Sequence, residues 1–265
     1  MSAPLLEVER LHYRHADAAA GSAPALDDVS LSVERGAFIA IVGPSGSGKT
    51  TLLRCIAGLQ PPTGGAVRLH GAAVTDVPDE LAVVFQDYGR SLFPWMTVSQ
   101  NVEMPLRHRR LPPGERRARI TSALEEVGLG DQGDRYPWQL SGGMQQRVAI
   151  ARAMAYRPEI LLMDEPFGSV DAQARADLQD QLLEVWRAHG STIVFVTHDI
   201  DESVYLADRV VVLSRPPTRV AAEISVDLPR PRDQIETKAS AGFVALRAEV
   251  ARLVRRPQPG AKANE

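Results

Sequence analysis

The sequence predicts an α/β fold, a mostly parallel sheet covered by helices. Two observations carry that expectation. Short runs of consecutive apolar residues recur at Phe38–Val42, Leu81–Phe85, Ile160–Met163 and Thr192–Thr197, the pattern of strands buried on both faces. Helical stretches such as Ala172–His189 lie between them at spacings that fit crossover connections.

Taken in order, Leu5–Tyr13 alternates and predicts a strand, and Arg14–Pro24 is small and polar, a loop. Val29–Val33 alternates strictly, and Gly36 turns it into the Phe38–Val42 run. Thr51–Ala57 has helical patterning and stops at Gly58. Gln60–Gly65 is a turn before a short strand, Ala66–Leu69. From Val98 to about Tyr156 strand signals vanish and helical patterns dominate, at Val98–Leu106, Glu115–Val127 and Gly143–Tyr156. This reads as a helical subdomain, about 97–157, inserted between strands of one sheet. Its basic stretches at Arg107–Arg110 and Arg116–Arg119 read as a solvated face. Strands return at Ile160 and Thr192, then at Arg209–Leu213, and Phe243–Val254 is an amphipathic helix. The expected domain is 5–254, with 255–265 a disordered tail.

The chain has 265 residues, 44% of them hydrophobic, enough for a large core. A net charge of −3 gives no global argument for nucleic acid. One cysteine, Cys55, excludes a disulfide framework and a thiolate metal cluster and reads as a small packing residue. The N-terminus has no basic and apolar signal-peptide pattern, and no apolar run approaches a membrane span.

Gly43-Pro44-Ser45-Gly46-Ser47-Gly48-Lys49-Thr50-Thr51 fits G-x-x-x-x-G-K-[ST], the P-loop, and lies between a strand and a helix as that chemistry requires. Glycines let backbone N–H groups close around phosphate oxygens, and the helix adds a positive dipole end. Lys49 would reach the β- and γ-phosphates, and the Thr50 hydroxyl would bind Mg²⁺. The alternative, a Gly/Ser turn before an ordinary helix, leaves the full pattern unexplained. Other buried strands end at Gln86, at Asp164-Glu165 and at His198. In open parallel sheets ligands bind beyond the carboxyl ends of strands, so these residues are expected to converge on one nucleotide. Asp164 fits the carboxylate that orients Mg²⁺, and Glu165 the base that polarises the attacking water. His198 would contact the γ-phosphate, and the Gln86 amide would reach Mg²⁺ or the water. A lone strand-end histidine is more often a cap, and a lone glutamine is usually surface. An Asp-Glu pair after four apolar residues needs a partner. Leu140-Ser141-Gly142-Gly143-Met144-Gln145-Gln146-Arg147 is a Ser-Gly-Gly turn opening a helix, either a plain N-cap or a second anion site. Two anion sites, only one with a lysine, imply two chains sharing each ATP.

Leu140–Arg147, with the P-loop, Gln86, Asp164-Glu165 and His198 in that order, resembles the ATPases of ABC type from about residue 5 to 254. The resemblance implies a P-loop NTPase fold with an N-terminal antiparallel β part. Tyr13 resembles the A-loop aromatic that stacks on adenine. Gln86 matches the Q-loop, Ser141, Gly142 and Gly143 the signature, Asp164 the Walker B carboxylate, Glu165 the catalytic base and His198 the switch histidine. Gly168-Ser169-Val170-Asp171 resembles the D-loop, although an Ala-Leu pair is commoner before the Asp. Three stretches resemble the nitrate/sulfonate/taurine importer group: Val84–Met96, Tyr136–Gly143 and Asp227–Arg232. That likeness implies a homodimer using ATP and Mg²⁺ on the cytoplasmic face of the inner membrane. It also implies two integral-membrane permease subunits, an extracytoplasmic solute-binding protein, and no nucleic acid. The alternatives are a soluble ATPase of this type acting on DNA or ribosomes, or the ATPase of an exporter or lipid transporter. The first usually needs a second cassette or a long coiled-coil insertion, and neither is visible. A small-metabolite kinase would leave Leu140–Arg147 unexplained. Leu92-Phe93-Pro94-Trp95-Met96, just after Gln86, either packs inside the helical subdomain or forms a permease contact, and is expected to contribute side chains to each.

Overall fold

The computed structural model describes residues 3–16, 23–86, 91–168 and 170–256. The expected tail from Pro257 lies outside the described residues. The chain divides into two compact units, Met1–Pro78 with Val194–Glu265, and Asp79–Ile193.

The first unit opens with an antiparallel β part. β1 (Leu6–Tyr13) pairs with β2 (Leu26–Val33) on one side, Leu6 opposite Val33. β3 (Phe38–Val42) is buried at every position, as its apolar run requires. It leads through the glycine loop into α1 (Lys49–Ile56), which buries Leu52, Leu53, Cys55 and Ile56. β4 (Gly64–Leu69) pairs with the other side of β1, Leu6 opposite Leu69, and β5 (Ala72–Ala73) adds a short edge. β2 begins three residues earlier than the Val29–Val33 alternation indicates. The alternation breaks at Asp28, which adopts a left-handed φ of 58°.

The second unit carries β6 (Leu81–Val84) and the helical stretch. α2 (Val98–Glu103) is shorter than the expected Val98–Leu106. Pro105 has no N–H to continue the ladder, and the chain tightens into a 3₁₀ turn at Met104–His108. α3 (Pro113–Glu126) and α4 (Gly142–Ala155) follow, and α4 buries Val148, Ala149, Ile150 and Ala151. β7 (Ile160–Asp164) pairs in parallel with β6, Leu81 opposite Ile160. α5 (Ala172–His189) ends at Gly190 in the left-handed region, a usual helix stop. β8 (Thr192–Val196) is buried throughout and carries the chain back into the first unit.

There α6 (Ile200–Leu206) follows, then β9 (Arg209–Leu213), which pairs in parallel with β3, Ile39 opposite Arg209. β10 (Val220–Ser225) pairs antiparallel with β9, and α7 (Glu236–Ala239) and α8 (Ala241–Arg255) complete the unit. Parallel strands, antiparallel β part and helical stretch together form the expected α/β fold. Among the described residues no helix is long and apolar enough to cross a membrane.

Burial has a measurable consequence at Cys55. Desolvation pushes its thiol from 9.0 up to about 11. A folded value above the unfolded one stabilises the protein below about pH 9, and the contribution is lost as pH rises through about 11. The native chain should therefore resist Ellman's reagent at pH 8 and react fully once unfolded in guanidinium. Stoichiometric labelling of the native protein within minutes would overturn this account of the thiol.

Candidate functional site

In the first unit the P-loop geometry follows from its glycines. Gly46 and Gly48 have φ of +75° and +70°, a region L side chains rarely adopt. At Gly48 a Cβ would also stand 2.9 Å from the Leu26 side chain and 3.2 Å from the Ala25 carbonyl. Lys49 is 7% exposed, and its Nζ donates to the carbonyls of Gly43 (3.0 Å) and Pro44 (3.1 Å). The Ser47 hydroxyl is buried and has no hydrogen-bond partner among the described residues. A buried ammonium and an orphaned hydroxyl beside a left-handed glycine turn form a donor set that fits a polyphosphate. Pro44 and Thr51 are half-buried, Ser45 is exposed, and Thr50 sits half-buried in the first turn of α1.

His198 is exposed just past β8. The residues flanking it are locked. The Thr197 hydroxyl donates to Glu202 Oε2 at 2.7 Å and accepts the Asp199 N–H at 3.0 Å. The Asp199 carboxylate caps α6 by accepting the N–H groups of Asp201 and Glu202. Tyr13 ends β1 half-buried, edge-on to His15 with ring centroids 5.1 Å apart.

In the second unit Gln86 and Glu165, 79 residues apart, meet: Gln86 Nε2 donates to Glu165 Oε2 at 3.1 Å. Glu165 holds a left-handed φ of 44°, costly for a residue with a side chain and characteristic of functional sites. Asp164, at the end of β7, is 3% exposed. Ser141 is the N-cap of α4, its Oγ accepting the Met144 N–H at 3.3 Å. Asp171 caps α5 by accepting the Ala174 N–H at 3.0 Å. The N-cap reading of the Ser-Gly-Gly turn is correct as far as it goes. Yet Ser141, Gly142, Gly143 and Asp171 also line one groove of about 540 Å³. Signature and D-loop residues, about thirty positions apart in the chain, are thus brought to one wall.

Two positioning groups escape sequence reasoning. Arg152 on α4 donates to the Ser91 carbonyl (2.6 Å) and hydroxyl (2.9 Å), tying the signature helix to the segment after the Q-loop. Asn101 is fully buried; its Oδ1 accepts the Phe93 N–H, and its Nδ2 donates to the carbonyls of Phe93, Met96 and Thr97. A buried asparagine on the apolar face of a helix is the one signal that could have found it. Among the described residues no group of three His, Cys, Asp or Glu could hold a metal. Mg²⁺ in such sites is held by one or two carboxylates together with substrate phosphates and water, and the Asp164 carboxylate of the second unit is of that donor type.

Comparison with known proteins agrees with this chemistry. The ABC transporter family matches residues 26–168. An uncharacterised ABC transporter ATP-binding protein of Methanocaldococcus jannaschii is 48% identical over 231 residues, covering 87% of this chain and 84% of that one. The nitrate import ATP-binding protein NrtC of Synechococcus elongatus is 44% identical over 252 residues, covering 92% of this chain but only 37% of its own length. Among solved structures, cbiO1 of Clostridium perfringens superposes with a TM-score of 0.76 at 29% identity, over 85% of this chain and 90% of that one. A dimeric ATP-binding cassette bound to ADP and Pi gives 0.73 at 32% identity, over 83% and 98%. The chain belongs to the ABC transporter family, as an ATP-binding, ATP-hydrolysing cassette.

Proposed function

We propose that the chain drives uptake of a small anionic solute, of the nitrate, sulfonate or taurine kind, as the ATPase of an importer. The observation that carries this reading is its 44% identity to a nitrate import ATP-binding protein across 92% of its length. Bicarbonate transport proteins at 45% identity extend the cargo class to other small oxyanions. In this reading two copies share two ATP molecules on the cytoplasmic face of the inner membrane. Two permease subunits sit above them, fed by an extracytoplasmic solute-binding protein.

The P-loop N–H groups and Lys49 bind the phosphates, and Tyr13 takes the adenine. Thr50, Asp164 and Gln86 would hold Mg²⁺, directly or through water, and the ion would neutralise charge on the phosphate oxygens. Glu165 accepts the proton of the attacking water, and Gln86, hydrogen-bonded to it, reports on the site. His198 steadies the γ-phosphate. The partner subunit's Ser141, Gly142 and Gly143 cover the same phosphate from across the dimer, with Asp171 at that interface.

The permease reading has its own support. Within the second unit a groove of about 400 Å³ is lined by Phe93, Met104, Pro105 and Tyr156 with the edge of β6. Leu92 is buried and Phe93 half-buried, while Trp95 is 69% exposed and packs against Phe93 with ring centroids 5.5 Å apart. The five-residue cluster therefore divides: Leu92 serves the core, and Phe93 and Trp95 face the groove and solvent. An exposed tryptophan beside an apolar groove fits a partner helix.

Two experiments test the proposal. Glu165→Gln keeps shape but removes basicity, so turnover should fall about 10²-fold or more while ATP binding survives. That variant should run as a dimer with ATP and as a monomer without it, and adding Ser141→Arg should abolish the dimer. Near-normal hydrolysis would remove Glu165 from its role, and a dimer indifferent to both changes would place the interface elsewhere. Trp95→Ala and Phe93→Ala should weaken binding to the co-expressed permease in detergent. Melting of the free subunit should stay within a few degrees for Trp95→Ala, as expected of a surface change. Normal permease binding by both variants would sink the contact.

A further inference from the structure

Asp227-Leu228-Pro229-Arg230-Pro231-Arg232 contains no nucleotide-binding motif, yet two of its side chains reach into the first unit. Arg232 is 8% exposed. Its Nη1 donates to the carbonyls of Tyr205 (2.6 Å), Ala207 (2.8 Å) and Val204 (3.3 Å). Arg230 Nη2 donates to the Leu206 carbonyl (3.0 Å) and to Asp208 Oδ1 (2.7 Å). These contacts have a common logic. The Ala207 N–H reaches Ser203, so Ser203 is the last carbonyl of α6 with a helical partner. The next four, Val204 to Ala207, are the orphan acceptors that every helix end leaves. Two arginines from 24 or more residues downstream take all four.

A glycine and water could close a helix end without burying a cation. Burial is the largest influence on Arg232 and holds it down to about 10, still protonated at neutral pH. The guanidinium stands at the negative end of the helix dipole, where a cation is favoured. Around it Arg230 repels, while Asp208 attracts. The helix so held has seven residues, a length that is not stable alone in water. Its other end begins at Asp199, and the preceding residue is His198. Two turns of helix span only ~10 Å, so a shift at the arginine end moves the histidine end with it.

We infer that Arg232, assisted by Arg230, is a positioning residue for ATP hydrolysis: by closing the C-terminal end of α6 it fixes where His198 stands. The inference rests on His198 acting at the γ-phosphate. It is tested on the full chain with Arg232→Met, which keeps bulk but has no donor, and Arg232→Lys, which keeps charge and some donors. Arg232→Met should lower kcat about tenfold and leave KM for ATP within about twofold, since the P-loop is untouched. Arg232→Lys should recover most of that loss. With ¹³C-labelled histidine, the His198 imidazole signal, assigned by its disappearance in His198→Ala, should shift or broaden in Arg232→Met. The signals of His12 and His189 should stay in place. A merely destabilised protein would not move one histidine signal selectively. Turnover within twofold of wild type, or an unmoved His198 signal, overturns the inference. If Arg232→Met does not fold, Arg230→Gln removes the Leu206 contact and the Asp208 ion pair while leaving the three Arg232 contacts, and should give the same pattern at smaller size, and its absence is equally decisive. Normal turnover by His198→Ala would instead remove the histidine's own role, and this inference with it. A defective His198→Ala beside a normal Arg232→Met would remove this inference alone.

Discussion

A lysine ammonium that is almost wholly out of solvent is the constraint on which the nucleotide end of this protein depends. Lys49 is 7% exposed and is held by the carbonyls of Gly43 and Pro44. An isolated buried cation is untenable, so the loop must fold back and present its oxygens to it. That path is open only without side chains. A Cβ at Gly43 would stand 2.7 Å from the Ser47 hydroxyl and 3.0 Å from the Leu213 carbonyl. β3 fixes where the loop starts and α1 where it ends, and both are anchored by apolar burial. Packing therefore sets the position of the charge, and the charge sets the shape of the loop.

Much of this was legible because buried parallel strands advertise themselves. Phe38–Val42, Ile160–Asp164 and Thr192–Val196 are apolar at nearly every position and buried at every position, so their ends mark where chemistry can begin. Elements held by distant partners were not legible. α6 has no apolar periodicity of useful length, and its ends are closed by Asp199 and by arginines far along the chain. β10 is half exposed and is ordered by pairing with β9. β5 is two alanines placed by β4. At the candidate site, residue types could be read but backbone strain could not. Nothing in Asp164-Glu165 announces that the glutamate turns left-handed, nor that its carboxylate meets Gln86.

In the second unit the signature turn and the aromatic cluster are joined by a chain of contacts. α4 starts at Ser141, whose hydroxyl caps it, and eleven residues on it presents Arg152 to Ser91. Between Ser91 and α2 lies the aromatic cluster, whose carbonyls are gathered by Asn101. These contacts connect the signature turn, along a helix and through a guanidinium, to the loop that bears Phe93 and Trp95. The joints at Arg152 and Asn101 are hydrogen bonds between buried or half-buried groups, where a lost partner costs about 1–3 kcal/mol.

Arginine performs the same task in both units. Arg152 bridges a carbonyl and a hydroxyl of one residue, and Arg232 bridges three carbonyls of one helix end. A lysine offers a point charge on a flexible stem, whereas the guanidinium is a planar fork that fixes several acceptors at once. Burial penalises the charge in both cases, and it lowers the arginine's affinity for its proton at each position. An apolar residue would pack at either place without that cost, but it would leave backbone carbonyls unpaired and would not define an angle between elements. The two arginines, Arg232 buried and Arg152 half-buried, are therefore best understood through direction rather than stability. Each holds a helix whose start lies at or next to a residue expected to meet the γ-phosphate, Ser141 at the cap of α4 and His198 just before the Asp199 cap of α6. Such a helix must keep its heading to within the tolerance of a hydrogen bond.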